Sequence, residues 1–151
     1  MLDQAGRRTL AAVLALAGTG VAGYLAAVQM DAIGHAWDPV FGDGTDTVIN
    51  SSVANLLPFP DALLGMLGYL VEAVLVLYAG TAPGRSRRWP GLLLEAEAIA
   101  FALTGVGLVA VQAFVVHAWC SWCLASAVVS WAILAVTVGL RRSPAPHRSP
   151  R

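Results

Sequence analysis

"HAWCSWCLASAVVSW", His117 to Trp131, is the stretch whose reading decides the fold. It carries both cysteines of the protein, Cys120 and Cys123, and the uncharged apolar run that follows continues to Leu140. Such a run is close to the roughly 20 residues that a helix needs to cross a hydrocarbon core of about 30 Å. On a helix, residues three apart share a face, so the two sulfurs are neighbours. The stretch therefore reads as a thiol pair at the mouth of a transmembrane helix.

Working outward, three more segments have the same character. Thr9 to Gln29 has no charge, Ala62 to Gly80 has only Glu72, and Leu92 to Val116 has only Glu95 and Glu97. Across all 151 residues, 58% are hydrophobic and 12% charged, about half the charge of a soluble domain. In lipid the backbone must satisfy its own hydrogen bonds, which favours helices. The expected fold is an all-α membrane protein: a four-transmembrane-helix bundle over residues 9–140, with a short N-terminal segment 1–8 and a Pro-rich, disordered tail 141–151. The uncharged run of the first span exceeds a typical signal-peptide core, so that span is expected to be retained.

All nine basic residues are arginines. With the N-terminus inside, they all fall in the segments 1–8, 81–91 and 141–151, and none falls in 30–61 or 117–119. The long outer loop is acidic instead, with Asp31, Asp38, Asp43, Asp46 and Asp61. This split is a strong positive-inside signal. It predicts that both termini are cytoplasmic and that the C-x-x-C pair is at the outer face.

Ala15, Thr19, Gly23 and Ala27 recur at steps of four and predict close packing on one face of the first span. In the outer loop, Trp37, Pro39, Phe41, Gly42 and Gly44 suggest turns. "TDTVINSSVANLL" predicts a short helix capped by Thr45 or Asp46. Val48, Ile49, Val53, Leu56 and Leu57 would form its apolar face, laid over the outer mouth of the bundle. "PFP" at 58–60 ends it, and the inner loop "TAPGRSRRWPG" shows no chemical signature.

The sulfur pair carries the chemistry. It lies at a helix N-terminus, whose free N–H groups and positive dipole end favour the reactive thiolate, and it faces an oxidising compartment. His117 is close enough in sequence to assist if protonated. A purely structural disulfide is the competing reading, but one closing so short a loop adds little stability. Trp119 and Trp122 read as interfacial anchors. Two cysteines and three scattered histidines make no metal cage. A membrane dithiol needs a soluble thiol partner on the outer side and a lipid-soluble electron sink, and a quinone fits the second role.

"AWCSWCLAS" on the last of four spans, together with "VINSS", the Pro-containing lead-in to the second span and the "LLG…GY" run, resembles the bacterial branch of the vitamin K epoxide reductase family. The resemblance covers about residues 9–140. It implies a four-helix bundle around a quinone of menaquinone or ubiquinone type, capped on the outer side by a helix-bearing loop, in the bacterial inner membrane. It also implies roles for individual residues. Cys123 would contact the quinone, and Cys120 would meet the incoming thiol of a thioredoxin-like extracytoplasmic partner. Ser51 would shape the site beneath the cap. Asp61 would bind a quinone oxygen if protonated; otherwise it is a solvated cap of the second span.

The chain also departs from the family pattern. The two further loop cysteines that relay electrons are absent, and Thr45 stands near the place of the second. A frequent tyrosine four residues after the second cysteine is Ala127 here. The expected activity is thiol–quinone oxidoreduction that supports disulfide formation. A non-catalytic subunit of a redox complex, or an enzyme with another electron acceptor, remains as an alternative. Glu72 and Glu97 lie roughly 12–15 Å from the inner face at 1.5 Å per residue. Two readings are open for them, a proton path or hydrogen bonding between helices.

Overall fold

Aspartate 3 starts the first helix. Its side chain accepts a hydrogen bond from the Gly6 amide at 2.7 Å, satisfying one of the free donors at the helix start. Helix α1 (Gln4–Gln29) consequently begins more than a turn before the apolar run and carries Arg7 and Arg8 on helical backbone. The computed structural model describes residues 3–54 and 58–142. The expected disordered tail from 143 onward, and Leu56 and Leu57 of the expected cap face, lie outside the described residues.

The chain continues through α2 (Gly44–Ile49), α3 (Asp61–Gly80), α4 (Ala82–Ser86), α5 (Trp89–Val111) with a π-helical turn Gln112–Val116, and α6 (Ser121–Arg142). Four of these helices are long and apolar enough to cross a membrane: Gln4–Gln29, Asp61–Gly80, Trp89–Val116 and Ser121–Leu140. They coincide with the four expected spans. The loop between the second and third spans holds the short helix α4, which Thr81 caps by accepting from the Gly84 amide at 3.2 Å.

The four spans form a ring in which α1 packs on α3 and α6, and α5 on α6 and α3. The interior is thin and built in three layers. The layer at the cysteine end, named outer after the orientation expected from the arginines, contains Leu25, Val28, Val48, Ile49 and both cysteines. The middle one contains Ala15, Ala22, Tyr69, Ala98 and Ile133, and the inner one Ala11, Ala12, Val76 and Leu94.

The close-packed stripe of α1 differs from the expected one. Ala15 is buried, but Thr19, Gly23 and Ala27 are only half-buried, while Ala11, Gly18, Ala22 and Ala26 are enclosed. Each step of four advances the face by about 40° at 3.6 residues per turn, so a strict four-step series drifts off the contact. Gly18 is where backbone and ring meet most closely: a Cβ there would lie 2.7 Å from the Tyr69 ring.

The cap over the outer mouth is present but shorter than expected. Helix α2 starts at Gly44, and neither Thr45 nor Asp46 caps it, because both are spent on other partners. Asp46 accepts from the Ala36 amide at 2.9 Å and pairs with His35, and Thr45 turns inward to Asp38. Val48 and Ile49 are buried against the outer layer, as the amphipathic reading requires. A Cβ on Gly44 would overlap the Trp119 carbonyl, so the start of α2 rests directly on the segment of chain leading into α6.

Candidate redox site

Residues 117–120 make the turn from the third span to the fourth. His117 adopts the left-handed conformation, φ 54°, which ends the π-helical turn. Cys120 then begins α6: its carbonyl accepts from the Leu124 amide at 3.0 Å, and its Sγ accepts from the Cys123 amide at 3.0 Å. Cys120 and Cys123 are joined as a disulfide with Cα atoms 5.2 Å apart. The helix start thus directs a backbone donor at one sulfur, as the sequence suggests.

The two sulfurs have different surroundings. Cys120 is fully enclosed under the cap, where the Thr45 hydroxyl lies 3.4 Å from its Sγ. Gln112, at the start of the π turn, accepts the Cys120 amide at 2.7 Å and donates to the Leu108 carbonyl at 3.3 Å. Cys123 instead forms part of the wall of a cavity of about 370 Å³ inside the outer half of the bundle. The volume lies within the range of small-molecule sites, roughly 300–1,000 Å³.

Asp38 organises the cap. Its carboxylate accepts from the amides of Val40 (2.9 Å) and Phe41 (2.8 Å), from the Thr45 hydroxyl (2.6 Å), and from the amide (3.1 Å) and hydroxyl of Ser121. Burial opposes its charge, but the bonds from Phe41, Ser121 and Thr45 outweigh that opposition and hold the carboxyl well below the usual carboxylate range. One side chain therefore ties the loop to the first turn of α6. The sequence marks Asp38 only as one of several outer acids. Trp122 adds a second tie: its indole donates to the Trp37 carbonyl at 2.7 Å, and its ring packs on Tyr24 and Trp37.

Ser51 and Asp61 both line the cavity with Cys123. Asp61 is the first residue of α3. It makes no side-chain cap bond to α3; its Oδ1 accepts from the Gln29 side-chain amide at 2.6 Å. Gln29 in turn accepts the Ala62 amide at 3.2 Å, so the end of α1 holds the start of α3. His117 is exposed and makes no hydrogen bond to the sulfur pair. Trp119 is exposed as an anchor would be, whereas Trp122 is committed to the loop.

Sequence reasoning missed the polar floor of the cavity. The Tyr69 hydroxyl meets the Ser126 carbonyl at 2.9 Å, Ser126 Oγ at 2.9 Å and Ser130 Oγ at 2.7 Å. Ser126 and Ser130 at a four-residue spacing on α6, opposite a tyrosine within an apolar run, were the available signal. Ala127 is buried against Gly105, and both line the cavity.

Four apolar spans, a C-x-x-C disulfide at the end of one of them and an adjoining apolar cavity define a multi-pass membrane protein with a redox-capable pair. The comparison with known families agrees. Residues 9–138 match the Vitamin K epoxide reductase family, and the chain belongs to it. No curated protein matches the chain. Membrane thiol–quinone oxidoreduction is the general activity of that family, and its members generally use quinones.

Proposed function

We propose that this protein oxidises dithiols of extracytoplasmic proteins through Cys120 and Cys123 and passes the electrons to a membrane quinone, supporting disulfide formation. The observation that carries the reading is the split of the pair: Cys120 lies against the outer cap, and Cys123 lies against the cavity. The pair thereby stands between the cap and the cavity.

The cavity suits a quinone ring. Most of its wall is apolar, with polar groups from Ser51, from Asp61 and from the bonded Tyr69–Ser126 floor. Leu64 on α3 and Thr104 on α5 line it and are also exposed on the outside of the bundle, which leaves a lateral way out for an isoprenoid tail. A quinone bound there supplies a two-electron sink.

In the reaction, a thiolate of a thioredoxin-like partner attacks Cys120 Sγ, and the Cys120–Cys123 bond breaks. Cys123 leaves as a thiolate at the cavity wall. The partner's second thiol then displaces Cys120, so the partner leaves oxidised and the pair is reduced. The Cys123 amide points at Cys120 Sγ and stabilises its thiolate, while the Thr45 hydroxyl beside it gives its one proton to Asp38. The pair gives two electrons to the acceptor and closes again. Because Cys120 is enclosed, the first attack requires the cap to lift. No loop cysteine is needed when the partner reaches Cys120 directly.

The arginine split supports an orientation with cytoplasmic termini and the pair at the outer face of the bacterial inner membrane. Thr45, standing against Cys120 where a relay thiol would act, favours one further reading: a family member that serves as an accessory subunit of a redox complex. Purified protein in quinone-containing liposomes separates the two. With dithiothreitol as donor, the wild type should reduce quinone, and the Cys120→Ser, Cys123→Ser double variant should fall to the uncatalysed rate. Equal rates would end the enzymatic reading.

A further inference from the structure

Two carboxylates lie deep in the bundle, away from the disulfide. Glu72 is fully enclosed, and neither of its oxygens has a hydrogen-bond partner among the described residues. Glu97 Oε2 and Thr137 Oγ1 are enclosed without one as well. Unsatisfied acids at such depth are costly and call for a use.

Their position supplies it. A second cavity, of about 490 Å³, opens at the arginine-bearing end and is lined by Arg8, Arg87, Arg88, Val76, Leu94 and Thr137 among others. Tyr69 and Phe101 line the outer cavity. On α3, Glu72 is three residues after Tyr69 and four before Val76. On α5, Glu97 is three after Leu94 and four before Phe101. At 1.5 Å per residue, each carboxylate stands about 4.5–6 Å along its helix from a residue of either cavity. Both therefore occupy the layer that separates the two spaces. On α6, Ser130 lines the outer cavity and Thr137 the inner one. The α1 face at this level is alanine, from Ala11 to Ala15, and α6 adds Ile133. The charged groups that line the second cavity are Arg8, Arg87, Arg88 and Glu95, and Arg7 lies against Gly139 of α6.

We propose that Glu72 and Glu97 carry protons from the inner aqueous side to the outer cavity, through Thr137 below and the Tyr69–Ser130–Ser126 hydroxyl chain above. The inference rests on quinone being the acceptor, as proposed above. In each turnover, two partner thiols lose two electrons, form one disulfide and release two protons outside. The quinone gains those two electrons and takes two protons from inside, becoming quinol. Dithiol oxidation thus consumes protons on one face, releases them on the other, and charges the membrane positive outside.

The test uses the full-length protein in liposomes containing quinone, with a pH dye trapped in the lumen and an impermeant dithiol peptide added outside. Only molecules with the outer face outward are driven. The wild type should reduce quinone and alkalinise the lumen by two protons per quinone, with the signal erased by a protonophore. Glu72→Gln, which cannot release a proton, should lose the lumenal signal while its melting temperature stays near the wild-type value. Glu97→Gln should reduce the signal and serves as the readout if the first variant does not fold. Quinone reduction by the wild type without lumenal alkalinisation overturns the proton route and leaves the redox reading intact. Undiminished alkalinisation in a folded Glu72→Gln variant overturns the role of Glu72. Absence of quinone reduction by the wild type overturns the redox reading, and the proton route with it.

Discussion

Removing the Asp38 carboxylate should unlatch the cap and expose Cys120. Of its five hydrogen bonds, those from Val40, Phe41 and Thr45 stay within the loop, and the two from Ser121 cross to α6. A hydrogen bond to a charged group contributes about 1.5–3 kcal/mol. The two crossing bonds together would give about 3–6 kcal/mol, and desolvation of the carboxylate offsets part of that. A net loss of about 3 kcal/mol on Asp38→Ala raises the open fraction of the cap by roughly two orders of magnitude, at about 1.4 kcal/mol per factor of ten. The Trp122–Trp37 bond and the Tyr24 hydroxyl, which accepts from the Trp37 amide at 2.8 Å, remain and keep the loop folded. The assay is maleimide labelling of Cys120 in a Cys123→Ala background, with and without Asp38→Ala. Labelling should accelerate by about 100-fold. Asp38→Asn, which keeps the shape but loses the charge, should fall between. A rate within about twofold of the Asp38 parent, a difference of less than roughly 0.5 kcal/mol, would refute the latch and the need for cap opening.

The latch has a pH signature. The folded-state pKa of Asp38 is depressed below its ordinary value of 3.8, so its contribution is complete above that value and is lost as pH falls through the lower folded value. Labelling of Cys120 in the parent, corrected for thiolate fraction, should therefore be flat from about pH 5 to 8. On α1, Gly18→Ala should cost about 1–3 kcal/mol, because the Tyr69 ring it would strike is held by three hydrogen bonds. Gly23→Ala should cost less, since the Met66 thioether it meets at 3.3 Å can move; thermal unfolding in detergent compares the two. Thr45→Cys places a thiol where a hydroxyl now stands 3.4 Å from Cys120 Sγ. In a Cys123→Ala background the introduced thiol should form a disulfide with Cys120 under mild oxidation, detected by a mobility shift after protease cleavage in the loop. Two free thiols would place the loop elsewhere.

The spans were legible because a hydrocarbon core imposes a length and excludes charge, and both are local properties of sequence. The helix ends were less so. Asp3 prolongs α1 beyond the apolar run with a side-chain cap, and α6 runs on through Arg142, since a helix need not stop where lipid does. The cap helix was legible in its apolar residues Val48 and Ile49 but not in its start, because Thr45 and Asp46, ordinary capping residues, found stronger partners in Asp38 and Ala36. Ser51 and Asp61 reach the cavity with Cys123, yet the partner of Asp61 is Gln29, 32 residues earlier.

The sequence alone determined the number of spans, the gathering of arginines at alternate ends of them, and the placing of two sulfurs three apart at the start of the last one. Each of these follows from runs or spacings within about 20 residues, the scale on which one helix meets lipid. Only the tertiary structure decided that Cys120 faces the cap and Cys123 the cavity, that Asp38 is the latch, and that Glu72 and Glu97 share the layer between two cavities. Those relations join residues as far apart as Asp38 and Ser121, 83 positions distant. They depend on how four helices turn toward one another, and no local pattern carries that rotation.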